Sequence, residues 1–165
     1  MKHVVQLTMP ARPEFLILAR LALTGIARTT PALDDVTLAD LKLAVTEACG
    51  NAARHAYDGE AGPVHIQYTL EEGHIEIVVA DEGTGRDLPA DAPTDHLLML
   101  KDGLVESGMG LSIIRAIVDE TEIESRTNGQ QGAVVTMRKR LATPGPEDSP
   151  RGDSQSSLPE RMPPG

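Results

Sequence analysis

"TEACGNAARHAY", residues 46–57, decides the fold, because this helical pattern carries Glu47, Asn51 and His55 at spacings of four. Residues four apart lie above one another on a helix. Taken alone, a solvated polar stripe explains this spacing better than a site does. Asparagine is the unusual member, since it is a poor helix former that adds nothing to an exposed face. Its amide oxygen is, however, a good ligand for Mg²⁺.

The stretch ends a predicted helix over residues 34–57, and the rest of the chain supplies further helices and strands around it. The apolar positions of this helix step at three and four, which predicts one buried face. They are Leu38, Leu41, Val45, Ala48 and Ala52. Hydrophobic periodicity predicts further helices over 13–29 and 110–120, and strands over 3–10, 62–70, 74–81, 121–127 and 133–140.

The order of these elements predicts an α+β fold. Helices and strands do not alternate one for one, so a doubly wound parallel sheet does not fit. A two-layer α/β sandwich fits better, with helices on one face of a mixed, largely antiparallel sheet. We expect one domain over residues 1–140. Residues 141–165 are rich in Pro and Ser and poor in apolar residues, which predicts a disordered tail.

Composition limits the classes of function. The formal net charge is −10, and the aromatic residues are one Phe, two Tyr and no Trp. Both features argue against direct binding of nucleic acid. The single cysteine, Cys49, cannot form an internal disulfide, which fits a reducing cytoplasm. Because neither a signal region nor a membrane-spanning run is visible, we expect a cytoplasmic protein without a membrane partner.

Two glycine-containing stretches add to the first motif. In "VVADEGTGRD" (78–87), Asp81 ends a predicted strand and Gly83 and Gly85 follow it. Glycines after a strand allow a tight turn and close approach of a ligand. In "SGMGLSII" (107–114), Gly108 and Gly110 flank a helix start, where free N–H groups and the helix dipole favour phosphates. Alone, each stretch also fits an ordinary turn or helix start.

Together the three stretches resemble a known set of motifs. E-x3-N-x3-H on a helix, D-x-G-x-G after a strand and G-x-G-L at a helix start resemble the N, G1 and G2 boxes of the GHKL ATP-binding fold. The stretches "DDVTLADLKLAVTEACGNAARHAY" (34–57), "VVADEGTG" and "SGMGLSIIRAIVDE" resemble the anti-sigma factor serine/threonine-protein kinase family, the RsbW-like proteins. The resemblance covers roughly residues 2 to 140.

The resemblance implies a role for each motif residue. Glu47 would be the catalytic general base, Asn51 would hold Mg²⁺ between the phosphates of ATP, and His55 would support the nucleotide site. Asp81 would accept a hydrogen bond from the adenine amino group. The other nucleotide-binding residues implied are Gly83, Gly85, Gly108, Met109, Gly110 and Leu111, with the loop 86–107 closing as a lid.

The resemblance also implies partners. A kinase of this family sequesters a sigma factor and phosphorylates a STAS-domain anti-anti-sigma protein on Ser or Thr, and relatives act as homodimers. Arg20 matches an arginine that contacts partners in relatives, although a solvated charge explains Arg20 about as well. The alternative is a non-catalytic ATP-binding module that sequesters its partner without phosphoryl transfer. A third reading is a detached histidine-kinase ATPase domain.

Two departures from the family pattern favour the non-catalytic alternative. Relatives often carry an arginine just before the last glycine motif that reaches the terminal phosphate, whereas this chain reads "LVESGMG" over 104–110. Arg86 or Lys101 would have to substitute for it. Relatives also tend to have a threonine near the nucleotide in the last strand, where this chain has Val134, with Thr136 on the same strand face.

Overall fold

The computed structural model describes residues 2–57, 61–84, 109–126 and 131–142 of the chain. These residues form five strands and three α-helices, with a short 3-10 helix, Pro13–Phe15, before the first α-helix. In chain order the elements are β1 (His3–Pro10), α1 (Leu16–Arg28), α2 (Asp35–His55), β2 (Pro63–Glu71), β3 (His74–Asp81), α3 (Met109–Ile117), β4 (Glu120–Ser125) and β5 (Ala133–Arg140).

The described strands form one sheet in the order β1-β2-β3-β5-β4. Each of its four strand pairings is antiparallel. Helix α2 packs against both α1 and α3 and also contacts β3. The predicted α+β class with two layers is therefore confirmed. Alternation along β3 points Ile75, Ile77, Val79 and Asp81 to one face of the sheet, and all four are buried.

A short 3-10 turn that begins with a proline precedes helix α1. The predicted helix over 13–29 begins with a 3-10 turn at Pro13, and the α-helix proper starts at Leu16. Proline suits a first helical turn because it lacks the N–H that would be unpaired there. The buried positions of α1 are Ala19, Leu23 and Ile26, as the helical spacing predicts. These three residues therefore form the face of α1 that packs against the core.

Helix α2 is the longest helix and carries the first motif. Its N-cap residue Asp34 accepts a hydrogen bond from the backbone N–H of Thr37 at 2.7 Å, which satisfies one free donor of the first turn. The predicted apolar face is buried at Leu41, Val45, Ala48 and Ala52, and half-buried at Leu38. Because this face holds α2 to the core, the opposite face stays available for polar side chains.

Helix α3 is shorter than its sequence pattern predicts. We expected a helix over 110–120, but α3 ends at Ile117 and β4 begins at Glu120. The reason is a backbone hydrogen bond from the N–H of Asp119 to the carbonyl of Arg138 on β5, at 2.9 Å. Pairing with a strand that is distant in sequence therefore ends the helix, and helical periodicity does not record it.

The tail predicted over residues 141–165 lies outside the described residues from position 143 onward, so the domain limit at residue 140 stays a prediction. Among the described helices, none has the length and apolar character to cross a bilayer.

Cys49 provides a test of how tightly the helical layer packs. Its side chain is fully buried, and burial raises the pKa of the thiol to about 12. We expect Ellman's reagent to leave native Cys49 unmodified at pH 8, and to react with it fully in urea, since the thiolate is the nucleophile. Burial of the neutral thiol favours the folded state below pH 9, and this contribution falls as pH rises from 9 toward 12. Rapid labelling of the native protein would contradict this packing.

Candidate functional site

The first and third motifs meet at Gly110, in the first turn of α3. A Cβ atom at this glycine would lie 3.0 Å from Oε2 of Glu47 and 3.3 Å from Oδ1 of Asn51. Both side chains are half-buried and project from α2 toward the start of α3. A helix start offers free N–H donors and a positive dipole end. A carboxylate, an amide and backbone donors therefore converge at one point.

The second motif docks at the C-terminal end of α2. Gly83 packs so closely that a Cβ atom there would overlap with the carbonyl oxygen of Ala56. The same carbonyl accepts a hydrogen bond from the backbone N–H of Thr84 at 3.0 Å. Asn51 and Ala56 are five residues apart, which is about 7.5 Å along a helix. The site therefore has two halves, the group around Gly110 and the turn after β3, and both contact α2 or its C-cap.

Asp81 is a buried carboxylate, only 7% exposed, at the end of β3. Its Oδ1 accepts hydrogen bonds from the backbone N–H of Gly83 at 3.0 Å and of Ala133 at 3.2 Å. Gly132 packs against the backbone of Asp81 and has a φ of +126°, which favours glycine. These contacts fix the carboxylate from the turn after β3 and from the start of β5. The sequence pattern did not reveal Gly132 or Ala133, since their role depends on the β3–β5 pairing.

Tyr57 is a further residue that sequence reasoning missed. Its hydroxyl donates to the carbonyl of Pro63 at 2.6 Å and accepts from the backbone N–H of Glu82 at 2.9 Å. Burial raises the pKa of this hydroxyl, the hydrogen bond from the backbone of Glu82 opposes it, and the negative charges of Asp81 and Glu82 act with burial. The group therefore stays protonated and keeps its donor at neutral pH. Its position two residues after the E-x3-N-x3-H pattern is the one signal in the sequence.

Arg54 adds a positive charge to the polar face of α2. Its Nη2 donates to Oδ1 of Asn51 at 3.1 Å, and its guanidinium also lies over Gly50. Arg54 is three residues after Asn51, so helical geometry places it on the same face as Glu47 and Asn51. A guanidinium thus stands beside the amide oxygen that the sequence assigns to a metal ion.

Several predicted site residues are only partly placed. Four of them lie outside the described residues: Gly85, Arg86, Lys101 and Gly108. For His55 and Met109 the structure describes the backbone but not the side chain. The side chain of Leu111 belongs to the hydrophobic core, which leaves its backbone for ligand contact.

Strand β5 places Val134 and Thr136, which the sequence compares with a threonine near the nucleotide in relatives, on one shared face. Alternation along β5 turns the buried residues Ala133, Val135 and Met137 toward the helices. Val134 and Thr136 therefore lie on the opposite face of the sheet.

Replacing Gly110 with alanine tests the convergence of the motifs. The added methyl group would press on Glu47 and Asn51, whose atoms would have to move by a few tenths of an ångström. We expect ATP to bind about tenfold more weakly, since overpacking costs about 1–3 kcal/mol. Calorimetric titration with ATP measures this change.

The matched control for that variant is Gly25→Ala on α1, where nothing lies within 4 Å of the added methyl group. This control should bind ATP like the parent protein and gain slightly in helix stability. Unchanged ATP affinity in the Gly110→Ala protein would contradict the proximity of Gly110 to the ligand.

The chain is similar to known proteins over most of its length. The sequence pattern of the histidine kinase-like ATPase domain matches residues 9–139. The chain is 37% identical over 142 residues to serine-protein kinase RsbW of Oceanobacillus iheyensis, covering 84% of this chain and 87% of that protein. It is 35% identical to RsbW of Bacillus pumilus, over 84% of this chain and 86% of that protein. Against RsbW of Bacillus subtilis the identity is 34%, over 83% and 85%.

The fold and the match to this sequence pattern thus define an ATP-binding domain of the histidine kinase-like type. Identity of this level over most of both chains goes further. The chain belongs to the RsbW family of serine-protein kinases.

Proposed function

We propose that this chain is an ATP-dependent serine/threonine protein kinase and anti-sigma factor. It would sequester a sigma factor and phosphorylate a STAS-domain anti-anti-sigma protein. The observation that carries the catalytic part is the placement of Glu47 and Asn51 beside Gly110 at the start of α3. A base, a metal-ligating amide and phosphate-binding donors are the parts that phosphoryl transfer needs.

The residues beside Gly110 fit a magnesium ion. Mg²⁺ prefers oxygen ligands and usually takes one or two from the protein, with water and phosphates supplying the rest. Asn51 offers its amide oxygen, and the Glu47 carboxylate lies close to the same point. When bound, the ion would neutralise phosphate charge. Because the guanidinium of Arg54 contacts the same amide oxygen, Arg54 and the ion would compete for it.

Glu47 would accept the proton of the substrate hydroxyl. As that proton leaves, the Ser or Thr oxygen forms a bond to the γ-phosphorus, and the bond from this phosphorus to the β–γ bridging oxygen breaks, releasing ADP. The transition state of such transfers is loose, so positioning and charge stabilisation supply most of the rate. The backbone donors at the start of α3 would stabilise the phosphates, and Asp81 would hold the adenine amine.

The surface of α1 supports a protein partner. Ile17, Leu18 and Leu21 are 45%, 38% and 56% exposed, and Arg20 lies among them. Clustered exposed apolar residues mark interaction surfaces. We propose that this surface serves the sigma factor, the STAS-domain protein or the second subunit of a homodimer, with the kinase acting in the cytoplasm.

Labelled ATP distinguishes the kinase from a non-catalytic module. We expect the protein, incubated with γ-labelled ATP, Mg²⁺ and a purified STAS-domain partner, to transfer label to a Ser or Thr of that partner. Tight complex formation without labelled product would instead support the module, which the absence of arginine from "LVESGMG" favours. Acid-labile label on His would support the histidine-kinase reading. Pull-downs with ATP and with ADP, followed by mass spectrometry, would identify the partners.

A further inference from the structure

Tyr57 joins three segments of the chain through one hydroxyl group. This oxygen donates to the carbonyl of Pro63, at the start of β2, and accepts from the N–H of Glu82, directly after β3. The tyrosine itself follows the C-cap of α2. Its ring lies over Gly62, where a Cβ atom would overlap with it. The side chain is therefore held in one position from several sides.

The turn after Asp81 depends on this hydroxyl. Three successive backbone N–H groups in the turn have separate acceptors: Glu82 bonds to Tyr57, Gly83 to Oδ1 of Asp81, and Thr84 to the carbonyl of Ala56. Two of these acceptors belong to Ala56 and Tyr57, which directly follow α2. The turn is thus aligned against the helix that carries Glu47 and Asn51.

We propose that Tyr57 is a positioning residue that sets the selectivity of the site for an adenine base. This inference rests on the proposed role of Asp81 as the acceptor for the adenine amine. A hydrogen bond weakens steeply when its donor and acceptor move out of line. Tyr57 holds the N–H of Glu82 and so fixes the position of the turn. The next N–H of this turn, that of Gly83, binds the Asp81 carboxylate. Tyr57 therefore helps to set the direction of that carboxylate.

Loss of the Tyr57 hydroxyl should change the direction of the Asp81 carboxylate more than it changes the stability of the fold. Glu82 is exposed and Pro63 is half-buried, so water can satisfy the Glu82 N–H and the Pro63 carbonyl after a Tyr57→Phe change, and folding loses little. The direction of the Asp81 carboxylate, however, loses one of its constraints. Hypoxanthine carries a carbonyl oxygen in place of the adenine amine, and a carboxylate repels that oxygen. Discrimination between ATP and ITP therefore reports how well Asp81 is aimed.

The chain supplies a matched control in its other tyrosine. Tyr68 is fully buried, and its hydroxyl donates to the carbonyl of Ala19 on α1 at 2.8 Å. A Tyr68→Phe change removes the same group from a backbone carbonyl that belongs to the core and not to the site. It should lower stability at least as much as Tyr57→Phe does.

The experiment measures the dissociation constants of ATP and ITP by calorimetry for the full-length parent protein and three variants. We expect Tyr57→Phe to lower the ratio of the ITP constant to the ATP constant by about tenfold, the effect of one net hydrogen bond. Tyr68→Phe should leave the ratio unchanged. Asp81→Asn should remove the preference, because an amide can either accept from the amine or donate to the carbonyl.

Tyrosine fluorescence gives a second readout that does not depend on activity. The chain has no Trp and two Tyr, so the Tyr68→Phe protein reports on Tyr57 alone and the Tyr57→Phe protein on Tyr68 alone. We expect ATP to change the emission of the first protein and not of the second, which also corrects for absorption by the nucleotide.

The outcomes separate failure of the inference from failure of the proposed site. If Asp81→Asn removes the preference for ATP while Tyr57→Phe keeps the parent ratio, Tyr57 has no positioning role. Equal loss of the ratio in both tyrosine variants would likewise overturn it, since general loosening would then be the cause. A parent ratio that Asp81→Asn leaves unchanged would overturn the role of Asp81, and the inference with it.

Discussion

A Glu47→Gln protein should lose phosphoryl transfer to a STAS-domain partner by about 10²–10⁴-fold, the range expected when a general base is removed. Glutamine keeps the size of the side chain but cannot take the proton of the attacking hydroxyl. ATP affinity should stay close to that of the parent, because the proposed nucleotide contacts come from Asn51, Asp81 and backbone groups. Single-turnover transfer of labelled phosphate measures the rate, and calorimetry measures the binding.

The matched control for Glu47→Gln is Asp40→Asn, on the same helix two turns closer to its start. It removes the same charge at about 10 Å along the axis from Glu47. Transfer by this control should match the parent. Parent-like transfer in the Glu47→Gln protein would remove Glu47 from the reaction and leave the non-catalytic module as the better reading.

An Asn51→Ala protein should bind Mg-ATP about 100-fold or more weakly than the parent. Even residues that only support metal ligands cost about 10–100-fold in metal affinity when they are replaced, so loss of a direct ligand should reach the upper end. The loss should vanish without metal, because the proposed role of the amide oxygen is to hold the magnesium ion. Calorimetric titrations with ATP, in magnesium and in EDTA, give the two affinities.

The combined behaviour of these two variants tests the separation of roles. The Asn51 and Glu47 side chains lie on one face of α2 and share the same neighbour, Gly110. The proposed mechanism nevertheless gives them different duties, one in binding and one in proton transfer. An equal loss of ATP binding in both variants, persisting in EDTA, would indicate a collapsed site and contradict the assigned roles.

Sequence periodicity predicted most of the fold because the core is apolar on one face of each element. The stripe Leu41, Val45, Ala48 and Ala52 on α2 is buried as its spacing requires. The end of α3 was predicted three residues too late, since the Asp119–Arg138 hydrogen bond that ends it comes from a strand distant in sequence. Local patterns record burial, and they do not record which strands pair.

The sequence likewise predicted some residues of the candidate site and missed others. The order of the three motifs pointed to Glu47, Asn51 and Asp81, because their residue types carry chemistry at recognisable spacings. Tyr57 and Gly132 were missed, because a tyrosine and a hairpin glycine acquire their roles only after α2, β3 and β5 are brought together. Supporting residues of a site depend on tertiary packing, and a single sequence does not show them.

Both halves of the site attach to α2, at Asn51 and at Ala56. Each residue of a helix adds a fixed rise of about 1.5 Å and a rotation of about 100°. One residue inserted between these two positions would swing the halves apart by that rotation, whatever its chemical type. This five-residue interval should therefore accept no change in length over evolutionary time.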